Sequence, residues 1–370
     1  MVTTSVRRAQ DAFDGATEHR AIDVHTHVVP ESLPQYLGAK VPSLWPSIVP
    51  AHACHRHLMI DNAIFRTLSD QCWSARRRVQ DMDTMRIGQQ VLSPMPELLS
   101  YWLPPRDASQ LLRHVNEHTA TLAYESSGRL LGFAGVPMQS LEAAINELEY
   151  CVRKLGFCGV EIGTNVNGVP IGDLSFDAFF EACVDLSAAV FVHPLRPTAM
   201  DRLAGPVQLQ YALAFPTEVG LAAASVLTTN LIERRPALRI AFSHGGGTLP
   251  CLLPRLQRAQ AVFPALREAI TATPMEQAKR LFYDGLVFDA GALQHLVATV
   301  GDSQVMVGTD YPFAFSETDP VTAISQVPFR REVRDRLLHG NANRFLSIKP
   351  AIAGSLPQAG IIPTTSRRPS

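Results

Sequence analysis

In the stretch AIDVHTHVVP, His25 and His27 stand one residue apart at the end of a short apolar run. On an extended strand alternate side chains share a face, so both imidazoles point the same way, with Asp23 expected beside them two residues earlier. That is the geometry a shared metal ion needs. Alone, an H-x-H pair is a weak signal, since most such histidines are ordinary polar residues. Three later groups change its weight: His193 closes the run AVFVH, His244 follows the run RIAFS, and Asp310 closes VMVGTD. A single histidine after an apolar strand is usually a hydrogen-bonded core residue. Three such strand ends, together with the opening pair, are not explained that way.

Three imidazoles and one carboxylate suit Zn2+, which is content with nitrogen and oxygen ligands and leaves a coordination position for water; Fe2+ or Mn2+ are the second choices. His25, His27, His193 and Asp310 form the expected ligand set. His244 is then free to act as general base, because imidazole titrates near neutral pH and can take a proton from metal-bound water. The glycines of HGGGTLP carry no side chain and let the backbone approach a ligand closely. The fourth strand-like run ends GVEIGT without a lysine, so a carboxylated lysine bridging two metals has no obvious source and a mononuclear site is expected.

These residues are useful only if the fold gathers them. Eight apolar runs read as strands: AIDVH, QQVLSPM, LLGFAGVPM, FCGVEIG, AAVFVHP, LRIAFSHG, LFYDGL and QVMVGTD. Each is too apolar to be half exposed, as expected of parallel strands buried on both faces. In SLEAAINELEYCVRKLG, Leu141, Ala144, Ile145, Leu148, Cys151, Val152 and Leu155 recur at helical spacing, and Gly156 follows as a C-terminal cap. Strands alternating with helices across this length predict a (β/α)8 TIM barrel, whose strand ends converge on the face where active sites are built. The barrel is expected over residues 21–347. Residues 31–75 interrupt its first strand-to-helix connection and read as an inserted lid or small subdomain. Residues 1–20 and 348–370 read as an N-terminal extension and a flexible tail.

Of the 370 residues, 46% are hydrophobic and 18% charged, with a formal net charge of -1, so a buried core is affordable and no nucleic-acid footprint is visible. Arg76, Arg77 and Arg78 read as the solvated start of a helix. Six cysteines without C-x-x-C spacing, and no apolar signal core, point to the reducing cytoplasm. The apolar window LQYALAFPTEVGLAAASVLTTNLI contains Pro216 and Glu218 and reads as a buried loop and helix rather than a membrane span. His52, His55 and His57 are irregularly spaced within the insertion and read as exposed lid histidines rather than a second metal site.

The chain resembles the amidohydrolase superfamily and, more narrowly, the α-amino-β-carboxymuconate-ε-semialdehyde decarboxylase family, over residues 21–347. The resemblance is carried by FRTLSDQCW, LSYW, FVHP, SHGGGTLP, VGTDYPF and above all GVPMQSLEAAINELEYCVRKLGFCGVEIGTNVNG. It implies a zinc-dependent, non-oxidative decarboxylase acting on an aminocarboxymuconate semialdehyde-like unsaturated or aromatic carboxylate, with His244 and Asp310 as catalytic residues. It also implies a homodimer in which Arg66 and Arg255 hold substrate carboxylates, Arg255 reaching across the interface, and in which Phe313 forms an aromatic wall. Without the resemblance, Arg66 and Arg255 would read as surface arginines and Phe313 equally as a core residue. The family's HPW is HPLRP here, so Leu195 replaces an aromatic, and residues 196–215 diverge; Arg196 either adds an anion contact or faces solvent. A hydroxybenzoate decarboxylase, or a hydrolase of a lactone or amide, could use the same activated water. A catalytically idle metal-binding interaction protein is argued against by the complete set of histidines and aspartate.

Overall fold

The computed structural model describes residues 21–348. Eight strands form one parallel sheet in chain order: β1 (Ala21–Val28), β2 (Ile87–Pro94), β3 (Leu130–Gly135), β4 (Gly159–Gly163), β5 (Ala189–His193), β6 (Ile240–Phe242), β7 (Phe282–Asp284) and β8 (Val305–Met306). Asp23 bridges Val307 and Thr26 bridges Tyr311, so the last strand returns to the first and the sheet closes as a (β/α)8 barrel. All eight strand-like runs of the sequence became barrel strands. Their residues are buried on both faces because helices cover the outside while side chains fill the inside.

The barrel interior is packed by Val24, Val91, Phe133, Phe191, Ala241 and Met306, and Phe345 of the helix Asn341–Leu346 joins the same cluster. The helix Leu141–Lys154 turns Ala144, Leu148 and Cys151 inward as its spacing predicts. Gly156 takes φ +73° beyond its end, and the Phe157 amide donates back to the Cys151 carbonyl at 3.1 Å. Residues 210–228 are long and apolar enough to cross a membrane, but Val219, Ala223 and Val226 of the helix Phe215–Thr228 are wholly buried in the main core. All six cysteines are free.

Residues 31–75 carry a three-stranded antiparallel sheet, Ser47–Pro50, Arg56–Ile60 and Ala63–Leu68. Leu58 and Leu68 pack it onto Val29, Cys72, Met95 and Leu98 at the barrel mouth.

Two expectations need correction. Arg76 and Arg77 are exposed, but Arg78 is fully buried. It shares the inner face of the helix Ala75–Thr84 with Ala75 and Met82, at helical spacing. Its guanidinium donates to the His27 carbonyl and to Thr26 Oγ1 at 3.3 Å, and lies 4.9 Å from the Tyr311 ring centroid. Asp23 also departs from the alternation rule, because the register of β1 on β2 slips between Asp23 and Thr26. Such a slip exchanges faces. Asp23 instead accepts from Thr309 Oγ1 at 2.6 Å and Gln90 Nε2 at 3.3 Å, tying β1 to the segment after β8.

Candidate metal centre

The C-terminal ends of four strands deliver the donors. His25 and His27 come from β1, His193 ends β5, His244 follows β6 by two residues and Asp310 follows β8 by four. The His193 ring lies 5.1 Å from that of His25, 4.8 Å from that of His27 and 5.5 Å from that of His244, centroid to centroid. One donor atom each of His25, His193, His244 and Asp310 falls within 4.8 Å of all the others. His27 adds its Nε2 at 3.0 Å from Asp310 Oδ1. All five residues expected around the metal are therefore brought together. The quartet whose donor atoms lie mutually within 4.8 Å contains His244 where the sequence reading placed His27.

A divalent cation fits this donor set. Nε2 of His25, His27 and His193 and Oδ1 of Asp310 are buried without a hydrogen-bond partner. Four such orphans in one place would be costly unless something completes them. The other ring nitrogens are engaged: His25 Nδ1 donates to Asp284 Oδ2 at 2.7 Å, His27 Nδ1 to the Pro94 carbonyl at 3.2 Å and His193 Nδ1 to the Pro194 carbonyl at 3.0 Å. Those bonds fix the tautomer and leave the Nε2 lone pairs for coordination.

Asp284 was missed by the sequence reading. It is the last residue of β7, within the run LFYDGL, and the rule that drew attention to Asp310 applies equally to it. Its second oxygen accepts from the Gly245 amide at 2.8 Å, coupling His25 to the His244 loop.

The local backbone is held in sparsely populated conformations. His244 and Asp310 have φ of +52° and +63°, in the left-handed region that side chains disfavour by about 1–2 kcal/mol. Gly247 follows at φ +59°, where a Cβ would come within 2.0 Å of the Pro216 carbonyl oxygen. The close approach expected of HGGG is thus made to protein backbone.

Burial alone would raise the Asp310 carboxyl, but the imidazoles of His25, His244 and His27 outweigh it and hold the group well below the usual carboxylate range. Burial would likewise lower His25, yet Asp310 and Asp284 lift it above its ordinary value. Burial dominates at His27 and His193, which are shifted down and favour the neutral, ligating form. Glu161 of β4 is pushed well up by burial, and its Oε2 stands 3.8 Å from His27 Nδ1.

A cavity of about 330 Å3 opens onto the cluster, lined by Arg66, Glu97, His193, Tyr211, Asp310 and Phe313. Phe313 stacks on the His27 ring, with centroids 5.2 Å apart at 19°, and the Arg66 guanidinium lies 4.2 Å from the Phe313 centroid. Arg66 donates to Tyr211 Oη at 3.2 Å. Arg255 is not brought here: it is exposed on the helix Leu249–Val262 and does not line the cavity. Glu97, a half-buried wall residue, carried no signal in the sequence. In the insertion, the His52 and His55 rings stack at 4.4 Å, and among the described residues only the barrel quartet has metal-binding geometry.

A closed parallel barrel with imidazole and carboxylate donors converging at its mouth is the architecture of a metal-site barrel enzyme. Residues 22–348 match the amidohydrolase family, and the chain belongs to it. Over 331 residues it is 35% identical to 2-amino-3-carboxymuconate-6-semialdehyde decarboxylase of Dictyostelium discoideum, covering 89% of this chain and 92% of the relative. The fold is similar to that of the IDCase of Metarhizium anisopliae, with a TM-score of 0.75, 23% identity and coverage of 89% and 97% of the two chains. It is also similar to a dihydroxybenzoic acid decarboxylase of Polaromonas sp., solved with manganese and the inhibitor 2-nitroresorcinol, with a TM-score of 0.71, 21% identity and coverage of 89% and 97%. The chain is an enzyme of the carboxy-lyase class, and a metal-dependent one.

Proposed function

We propose that this chain is a zinc-dependent, non-oxidative decarboxylase of an aminocarboxymuconate semialdehyde-like, unsaturated or aromatic carboxylate. The observation that carries the reading is the convergence of four orphaned buried ligand atoms, two of whose residues, His193 and Asp310, line a cavity that also holds the Arg66 fork. His25, His27, His193 and Asp310 would hold the cation. When bound, it supplies Lewis acidity and makes a ligated water easier to deprotonate.

The protein side follows from the geometry. Arg66 binds the substrate carboxylate through its fork, and Phe313, packed against that guanidinium and the His27 ring, lines the cavity as an aromatic wall for the unsaturated system. His244, whose Nε2 lies 3.9 Å from Asp310 Oδ2, takes a proton from water at that nitrogen. The bond to the departing carboxylate breaks, its electron pair stays on the substrate carbon, and His244 returns the proton there as carbon dioxide leaves, while the hydroxide left in the site takes a solvent proton and becomes water again. The same proposal places the enzyme in the cytoplasm as a homodimer, with Arg255 reaching the partner's cavity.

A hydroxybenzoate is the second substrate reading, favoured by the fold shared with the dihydroxybenzoic acid decarboxylase. Carbon dioxide release from a panel of semialdehydes and hydroxybenzoates, with lactones and amides as hydrolysis controls and metal analysis on the same sample, separates these readings. Release from a member of the first class supports the proposal. Hydrolysis without carbon dioxide overturns it.

A further inference from the structure

We infer that a second cavity beside the metal cavity is a distal specificity subsite, in which Arg196, stacked on Trp102, receives a second anionic group of the substrate. The inference rests on the decarboxylase reading, which it deepens by assigning a receptor for the far end of the molecule.

The cavity has a volume of about 350 Å3, and its walls include Trp102, Glu97, Leu195, Arg196 and Met200. It shares Glu97, Pro194, Tyr211 and Phe215 with the cavity that contains His193 and Asp310. The chain itself links the two, because His193 faces the metal cluster and Arg196 follows three residues later. Three residues span at most about 11 Å, so one small molecule can touch both.

Arg196 takes φ +45°, and its guanidinium lies 3.7 Å from the Trp102 ring centroid. Stacking fixes the guanidinium plane while leaving its edge donors available. Among the described residues no carboxylate lies within ion-pair distance of it. A second polar orphan stands in the same wall, since Trp102 Nε1 is buried without a hydrogen-bond partner. A cation held flat and unpaired, beside an unused indole donor, suits a carboxylate. Leu195 is part of the same design: it is only 4% exposed, and in the place of a family aromatic it leaves the passage to a smaller side chain. Glu97 stands in both linings and offers an acceptor to a hydroxyl or amino group between the two anionic ends.

Calorimetry on the metal-loaded enzyme with trans,trans-muconate and sorbate tests this, because the two share a six-carbon diene and differ by one terminal carboxylate. The wild type is expected to bind muconate roughly tenfold or more tightly than sorbate. Arg196→Gln should erase that preference by weakening muconate alone, and Arg196→Lys should restore part of it. Absence of a preference in the wild type, its survival in Arg196→Gln, or equal weakening of both probes overturns the assignment. The outcome is independent of turnover: a chain that prefers muconate yet releases no carbon dioxide would sink the decarboxylase reading and leave the subsite standing.

Discussion

In the proposed mechanism His244, Arg66 and Asp284 act at one centre in three different ways, and substitution should separate them. His244 moves a proton, so His244→Ala should lower kcat roughly 100-fold or more with little change in KM. Unchanged turnover in a carbon dioxide assay would remove its assignment. Arg66 is a charged fork on the carboxylate, and Arg66→Ala should raise KM by roughly 10- to 100-fold. Asp284 does not line the metal cavity. It fixes His25 through a 2.7 Å bond, so Asp284→Asn should weaken metal affinity by roughly 10- to 100-fold in a chelator competition. Excess metal should restore much of the activity. Loss that no metal concentration rescues would show a different role.

Among the elements, the barrel strands were legible because each is a short apolar run that has no exposed face to record as polar alternation. The convergence of the five candidate metal residues was legible because all five stand at or just beyond the ends of those runs. What stayed hidden was set by local geometry rather than residue type. Arg78 was read by its charge, although its spacing from Ala75 and Met82 places it on the buried helix face. Asp23 was read by alternation, which a register slip in β1 defeats. Glu97 and the Arg196–Trp102 stack depend on loops after β2 and β5 whose paths no periodicity encodes. Buried Arg78 satisfies the His27 carbonyl beneath the metal cluster, so Arg78→Met should destabilise the fold by about 2–3 kcal/mol in urea unfolding. A change within 0.5 kcal/mol would place the guanidinium in solvent.

Across the whole molecule, the helices hold groups whose titration reports on folding rather than catalysis. His118, half-buried on the helix Pro105–Glu125, is pushed down to about 4, chiefly by burial, with His114 and Arg78 adding repulsion. Its unfolded value is near 6.5, so the unfolded chain takes up the proton first as pH falls. The contribution to stability is complete above pH 6.5 and is lost progressively down to about pH 4, the loss reaching about 2 kcal/mol at pH 5. His118→Gln should therefore lose less stability than the wild type between pH 7 and pH 5. Parallel urea midpoints for the two proteins would contradict that.

The account as a whole stands on five side chains, brought from four strand ends, meeting at one cation. The most direct measurement is carbon dioxide release before chelation, after chelation and after stoichiometric return of Zn2+ or Mn2+. The account predicts about one metal ion per chain in the active sample, activity falling below roughly 1% when it is removed, and recovery on adding about one equivalent. A chain that decarboxylates at full rate with its metal stripped away would contradict it.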